Sequence, residues 1–129
     1  MSFSARLKVD GVDARILEAS YSLGREVDFS GRPSGDVRGG RVLVTIEGSD
    51  NTGFFEWLID PYALKDGSIV FKKRDDDATA KELIFKDAYL IRRTENFTQT
   101  GDNPLTETLE FSARELSLGG GTHENEWPS

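Results

Sequence analysis

The chain has 129 residues and no cysteine, which excludes disulfides, thiol catalysis and cysteine-ligated zinc sites. Its formal net charge is −7, with 23 acidic against 16 basic residues, and this balance argues against nucleic-acid binding, which needs a positive surface. Arg6 and Lys8 interrupt the start, so a signal peptide is not expected, and the apolar runs are too short to insert in a membrane. We expect one domain, made in the cytoplasm.

The first forty residues predict a β-hairpin and then a long loop. Strict alternation marks a first strand, with apolar side chains at Phe3, Ala5, Leu7 and Val9. Asp10-Gly11 offers a turn. A second strand is predicted over 14–23, with one face formed by Leu17, Ala19, Tyr21 and Leu23. Residues 24–40 are polar and glycine-rich, so we expect an extended loop that projects from the domain and contacts another molecule.

The middle of the chain predicts a strand and a short helix. Val42, Val44 and Ile46 point one way in the third strand, and Leu43 points the other. Asp50, Asn51 or Thr52 provides cap chemistry for a helix that ends near Pro61. Spacings of three and four predict that this helix packs on the sheet through Phe54, Phe55, Trp57 and Leu58.

The second half predicts further strands joined by turns. We expect a turn at 65–67, a strand over 68–74, a polar hairpin tip over 75–80, and returning strands over 81–85 and 88–94 with a bulge near Lys86-Asp87. After a turn at 99–104, a last strand over 105–116 presents Leu105, Leu109, Phe111 and Ala113 to the core. Gly119-Gly120-Gly121 is predicted to begin a flexible tail.

These elements predict a mainly β fold. We expect two packed antiparallel sheets that form a small barrel, with one short flanking α-helix. The barrel domain is predicted over 1–118, with the extended loop at 24–40, and the tail over 119–129.

The residues provide little chemistry. His123 lies in the predicted tail, where nothing fixes a metal or base site around it, and the Asp75–Asp77 run lacks the spacing of a calcium loop. Arg92 and Arg93 are predicted to pair with acidic side chains across strands or subunits. We expect no catalytic residue, no metal and no cofactor.

The order and spacing of several short motifs resemble the tube proteins of type VI secretion, the haemolysin-coregulated protein family, in its Bacteroidetes form. The resemblance runs end to end. It is carried by residues 3–11, Arg32-Pro33-Ser34, Arg38-Gly39-Gly40, Glu56-Trp57-Leu58, residues 65–71, Lys73-Arg74-Asp75, Asp87-Ala88-Tyr89, Glu95-Asn96-Phe97, residues 112–115 and Trp127.

The resemblance implies a homohexameric ring with a wide pore, and rings stacked into a tube inside a contractile sheath. Contraction drives the tube and its spike out of the cell, so the protein would assemble from a baseplate in the cytoplasm and then be secreted. Small effector proteins would travel in the pore. The long loop would reach a neighbouring subunit or ring.

The predicted interface rests on two grounds, the role that the resemblance implies for the long loop and the polarity of the residues in it. It comprises Arg32, Pro33, Ser34, Asp36, Arg38, Gly39, Gly40 and Arg41, together with Trp127 in the tail. Arg32, Arg38 and Arg41 are expected to pair with acidic residues of an adjacent subunit. Trp127 is expected to dock on the body or on a neighbour, because an exposed tryptophan forgoes the gain of burial.

Three alternatives remain open at this point. The chain is also compatible with the tube of a related contractile injection system or phage-like tail. A small-ligand-binding β-barrel would need an enclosed apolar cavity. An enzyme would need paired carboxylates, for which Glu56, Glu95 and Asp102 are the candidates.

Overall fold

The computed structural model describes residues 3–73, 78–125 and 127, and these contain seven strands and one helix. The strands are β1 (Phe3–Val9), β2 (Val12–Gly24), β3 (Arg38–Glu47), β4 (Lys65–Lys73), β5 (Thr79–Phe97), β6 (Leu105–Leu118) and β7 (Gly121–Glu124). Helix α1 (Gly53–Ile59) lies between β3 and β4. None of the helical structure described is long and apolar enough to span a membrane.

A single antiparallel sheet closes on itself. Its order is β3-β2-β1-β4-β5-β6-β7, and β3 also pairs with β6, from Arg41 opposite Ser112 to Glu47 opposite Thr106. Strand β7 then pairs with β6 beyond that point, over Glu115 to Leu118. The mainly β barrel with one short helix is confirmed, and its two packed walls belong to the same closed sheet.

The barrel interior is filled by side chains. Those that are completely buried include Leu7, Val42, Val44, Phe85, Leu109 and Phe111. The rings of Phe85 and Phe111 lie 5.1 Å apart between centroids, and Trp57 of α1 lies 5.3 Å from Phe111. Alternate residues of each strand therefore build one continuous core, as period-two patterning predicts.

Helix α1 packs on this core through part of the predicted stripe. Phe54 and Trp57 are buried, and Leu58 is half-buried against the core. Phe55 is 52% exposed, so its expected place in the helix core is wrong. A helix of seven residues presents only one narrow stripe inward, and Phe55 instead packs against the Arg93 guanidinium, 5.8 Å from the ring centroid.

Strand β2 contains a register shift that the sequence pattern does not reveal. The ladder to β3 slips between Ile16 and Glu18, at Leu17. Val12, Ala14 and Ile16 face the core before the shift, and Ala19 and Tyr21 face it afterwards. The prediction that Leu17 shares one face with Ala19 and Tyr21 is therefore wrong, because an extra residue in a strand exchanges the two faces.

Glycines account for two further differences. Residues 65–67 belong to β4 and not to a turn. Gly119-Gly120 is a tight turn, with Gly119 at φ +58°, and the chain returns as β7, so a flexible tail is wrong for residues 121–124.

The predicted bulge near Lys86-Asp87 is confirmed by a register shift against β4 and by Asp87 at φ +51°. Residues 75–77 of the predicted hairpin tip lie outside the described residues.

Candidate subunit interface

The long loop is a projecting arm of residues 25–37, shorter than the predicted 24–40. Its outer part is a small hairpin. Val27 forms a β-bridge with Pro33, the amide of Ser34 donates to the Glu26 carbonyl at 2.8 Å, and the amide of Asp28 donates to the Arg32 carbonyl at 2.8 Å. The backbone of the arm is therefore internally paired, although little of it touches the barrel.

Asp28 organises the tip of the arm. One carboxylate oxygen accepts hydrogen bonds from the Ser30 amide at 2.9 Å, the Ser30 hydroxyl at 2.6 Å and the Arg32 amide at 3.1 Å. The bond from the Ser30 hydroxyl, followed by the one from the Arg32 backbone, holds the pKa of Asp28 below its ordinary value. Phe29, at this tip, is 106% exposed, so an ordered hairpin presents a bare aromatic ring to solvent.

The base of the arm is fastened by Asn125. Its side-chain nitrogen donates to the Gly39 carbonyl at 2.9 Å and to the Ala113 carbonyl at 3.1 Å, and its backbone amide donates to the Arg114 carbonyl. The side-chain oxygen of Asn125 is 3.0 Å from Nε2 of His123. Asn125 therefore links β7, β6 and the start of β3 where the β3–β6 ladder ends.

Gly39 and Gly40 lie at the base of the arm, where neighbouring atoms leave no room for a Cβ. A Cβ on Gly39 would lie 2.4 Å from a Leu23 methyl carbon, and one on Gly40 would lie 2.5 Å from the Asn125 side-chain nitrogen. Gly40 also has φ +108°, which other residues rarely adopt. Both belong to β3 and not to the loop, because glycine here permits close packing instead of flexibility.

An apolar cleft of about 390 Å³ opens beside the base of the arm. The lining includes Tyr21, Leu23, Val37, Leu116, Leu118 and His123. Leu23 and Val37 flank the two ends of the arm and are 48% and 37% exposed. The cleft therefore has apolar side chains at its rim and the barrel core at its floor.

The predicted interface residues are divided between the arm and its base. Arg32, Pro33, Ser34 and Asp36 lie in the arm and are exposed, and Arg38 is exposed at the start of β3. Arg41 pairs within the chain, at 3.2 Å, with Glu110 of β6. Trp127 packs on Tyr89 of β5, with 5.5 Å between ring centroids, so it lies on the body.

The second predicted basic pair joins strands of the barrel. Arg92 lies 3.9 Å from Glu110, and Arg93 lies 3.0 Å from Glu107 and 3.3 Å from Glu95. Glu107 is 2% exposed and faces the interior at the end of the core covered by α1. Sequence analysis missed this buried pair, although Glu107 falls on the same alternation as Leu105, Leu109 and Phe111.

Two of the three candidate catalytic carboxylates have structural partners. Glu56 accepts from the Thr52 hydroxyl at 2.6 Å, Glu95 pairs with Arg93, and Asp102 lies in the turn before β6. Within the described ranges, no group of three or more His, Asp or Glu side chains is arranged to hold a metal ion. Arg6 donates to Asp13 at 2.6 Å, and this bond lowers the pKa of Asp13. The Arg6–Asp13 contact joins β1 and β2.

Comparison with known proteins gives one family. The family model described as Hemolysin coregulated protein Hcp (TssD) matches residues 1–128. No curated protein matches the chain. The solved structure of Hcp1 from Flavobacterium johnsoniae is 47% identical, with a TM-score of 0.89, and the match covers 95% of this chain and 99% of that one.

More distant structures share the fold. Hcp1 from Salmonella typhimurium is 15% identical, with a TM-score of 0.76 over 95% of this chain and 92% of its own. The secreted protein Hcp3 from Pseudomonas aeruginosa is 9% identical, with a TM-score of 0.65 over 99% and 100%. Thus the closed barrel is retained where little sequence identity remains.

Proposed function

Because the chain belongs to the Hcp (TssD) family of type VI secretion tube proteins, we propose that it is a structural subunit whose hexameric rings stack into the inner tube. The match over 1–128, together with 47% identity to Hcp1 from Flavobacterium johnsoniae, carries this proposal. The subunit has a mechanical role and is not an enzyme. Contraction of the surrounding sheath expels the tube.

The shape of the chain suits a ring subunit. A closed barrel leaves few free strand edges for uncontrolled pairing, so contacts between copies fall to the arm, the cleft and charged outer faces. A ring requires a heterologous contact, in which two different surfaces of each subunit meet. The arm and the barrel provide two such surfaces. Arg32 and Arg38 are exposed in this region, which supports their pairing with acidic residues of an adjacent copy.

The proposal extends to partners and location. The tube would meet sheath proteins on its outside, a baseplate at its start and a spike protein at its tip, with small effector proteins in the pore. It would assemble in the cytoplasm and leave through the contractile apparatus. The domain would be 1–118, with a C-terminal tail over 119–129 of which Gly121–Glu124 pairs with β6. Trp127 on Tyr89 would help to fix that tail.

The test is the native mass in solution. Light scattering after size exclusion, with negative-stain images of the same peak, should give six times the chain's 14.3 kDa and rings with open centres. A monomer over a wide concentration range would refute the ring. Co-purification with sheath proteins from cells that fire the apparatus distinguishes a type VI tube from that of a related contractile system.

A further inference from the structure

We propose that the apolar cleft beside the base of the arm receives Phe29 of a second copy of this chain. The inference rests on the proposed function, because it needs a self-assembling subunit, and it deepens that function by naming both sides of one contact. The cleft and the phenylalanine are complementary apolar features that one copy leaves uncovered.

Phe29 is fully exposed at the tip of an ordered hairpin. It is 106% exposed, and Val27 of the same hairpin is 60% exposed, so the arm carries apolar side chains outside the core. The hairpin that carries it is ordered by the Val27–Pro33 bridge and by the three hydrogen bonds that Asp28 accepts. Since the tip is already ordered, little conformational entropy is lost when Phe29 is buried in a partner.

The cleft matches that ligand. Its lining is apolar except for Ser117, Thr122, the Tyr21 hydroxyl and His123, and its volume of about 390 Å³ admits an aromatic side chain. Among the residues that the structure describes, none of those that line the cleft is acidic, so Asp28, which precedes Phe29, meets no like charge in this lining. In a chain of net charge −7, such a lining favours an acidic tip.

The connectivity identifies the occupant as another copy. Leu23 and Val37 flank the two ends of the arm and line the cleft, so the arm starts at the cleft and carries Phe29 away from it. The tip of one copy would bind the cleft of a second copy, and the tip of the second copy would bind the cleft of a third. The contact joins two different surfaces, so it is heterologous and repeats from copy to copy. Such a contact is continuous with the interface proposed for the arm.

The first test uses the absence of cysteine, because every disulfide that forms then joins two engineered positions. Ser30→Cys places a thiol beside Phe29 and leaves the ring intact, and Thr122→Cys places one in the cleft. Assembled double-cysteine protein should give a ladder of covalent oligomers on mild oxidation. A Ser30→Cys, Thr94→Cys protein is the control, since Thr94 lies on β5 outside the cleft, and it should give no ladder.

The second test measures self-association against concentration for the full chain. Phe29→Ser should weaken association by roughly tenfold or more, and Phe29→Leu by less, because a buried aromatic anchor dominates a contact of this kind. Phe97→Ser is the matched control, since Phe97 is 72% exposed but lies outside the arm, and it should have no effect. Circular dichroism checks that each variant is folded.

The outcomes separate the two proposals. If wild-type rings form but no ladder appears and Phe29→Ser associates normally, the cleft contact is wrong and the tube function stands. If the wild-type chain does not associate at any concentration, both proposals fail. A ladder together with the loss caused by Phe29→Ser supports the contact.

Discussion

Single side chains fix the barrel at its two ends. Glu107 and Arg93 are 2% and 14% exposed, and Phe55 covers the guanidinium from α1. At the other end, Gly40 leaves just enough room for the side chain of Asn125. Both sites place a charged or polar group where most neighbours are apolar, so each depends on its partner being present.

Removal of Glu107 should destabilise the chain strongly. Glu107→Ala leaves Arg93 with its buried partner missing, and we expect a loss of about 3 kcal/mol in the free energy of unfolding. Urea denaturation followed by tryptophan fluorescence measures it. Glu110→Ala is the control, because its partner Arg41 is 66% exposed, and should cost about 0.5 kcal/mol. Equal losses would contradict a special role for the buried pair.

Gly40 should not tolerate a side chain. Gly40→Ala meets both a φ of +108° and the Asn125 nitrogen 2.5 Å from the new methyl group, so we expect roughly 2 kcal/mol of destabilisation or more. Gly120→Ala, which has nothing within 4 Å of its Cβ, should stay within about 0.5 kcal/mol of wild type. Thermal unfolding of the two variants side by side decides whether space, and not glycine content, sets the requirement.

At the scale of the elements, the arm is an ordered hairpin whose stability comes from polar bonds. Asp28 accepts three of these bonds as a carboxylate, and it lies in full contact with solvent. The arm can therefore be disordered without unfolding the barrel, because the core contributes nothing to its tip.

Acid should disorder the arm before the barrel. The folded-state pKa of Asp28 is depressed below its ordinary 3.8, so its contribution to arm order is complete above that value and is lost as pH falls through the depressed one. The protection of the amides of residues 26–34 from exchange, measured relative to an unstructured peptide at the same pH, should be constant from neutral pH to about 4 and should fall below it. Asp28→Ala should give low protection at every pH, and Asp36→Ala, which makes none of these bonds, should not.

The extent to which the sequence predicts these elements follows from the physics of each signal. Period-two alternation predicts β1, β3 and the core face of β6, because one buried wall imposes it. It fails at Leu17, where a bulge exchanges the faces, and at Glu107, where an ion pair occupies a core position. A glycine in a sequence can indicate either a flexible loop or a position of close packing. At Gly39 and Gly40 the reason is close packing, which the sequence alone does not distinguish from flexibility.

The site is less predictable than the fold. The composition of residues 24–40 predicts a polar loop that projects from the barrel. It does not predict that Phe29 is exposed, because an aromatic residue in a loop can equally be buried. The cleft joins residues from β2, β5, β6 and β7, so it exists only after the strands have paired. The role of Asn125 could not be predicted from the sequence, since its side chain bonds to the backbone carbonyls of Gly39 and Ala113, and every residue has such a carbonyl.

At the scale of the whole molecule, net charge opposes assembly. Every copy carries −7, so copies brought together in a ring repel one another over about 10 Å at ordinary salt. The contact proposed between Phe29 and the cleft is apolar and short-ranged, and salt does not weaken it.

Added salt should therefore strengthen self-association. Between about 0.05 and 0.5 M NaCl, the concentration needed for half-assembly should fall several-fold, because repulsion is screened while the apolar contact persists. Sedimentation velocity over a dilution series measures this. If salt instead dissolved the rings, ion pairs such as those expected of Arg32 and Arg38 would dominate the interface and the apolar contact would be secondary.

The Asn125 side chain makes the arm and the C-terminal strand parts of one equilibrium. Its bond to the Gly39 carbonyl exists only while β7 is paired with β6, and the space at Gly40 is filled only while Asn125 is in place. A ligand or neighbour that lifts β7 releases the start of β3 and thus loosens the arm. By linkage, a partner that fixes the arm protects β7 to the same extent, so the arm and β7 each register the occupancy of the other.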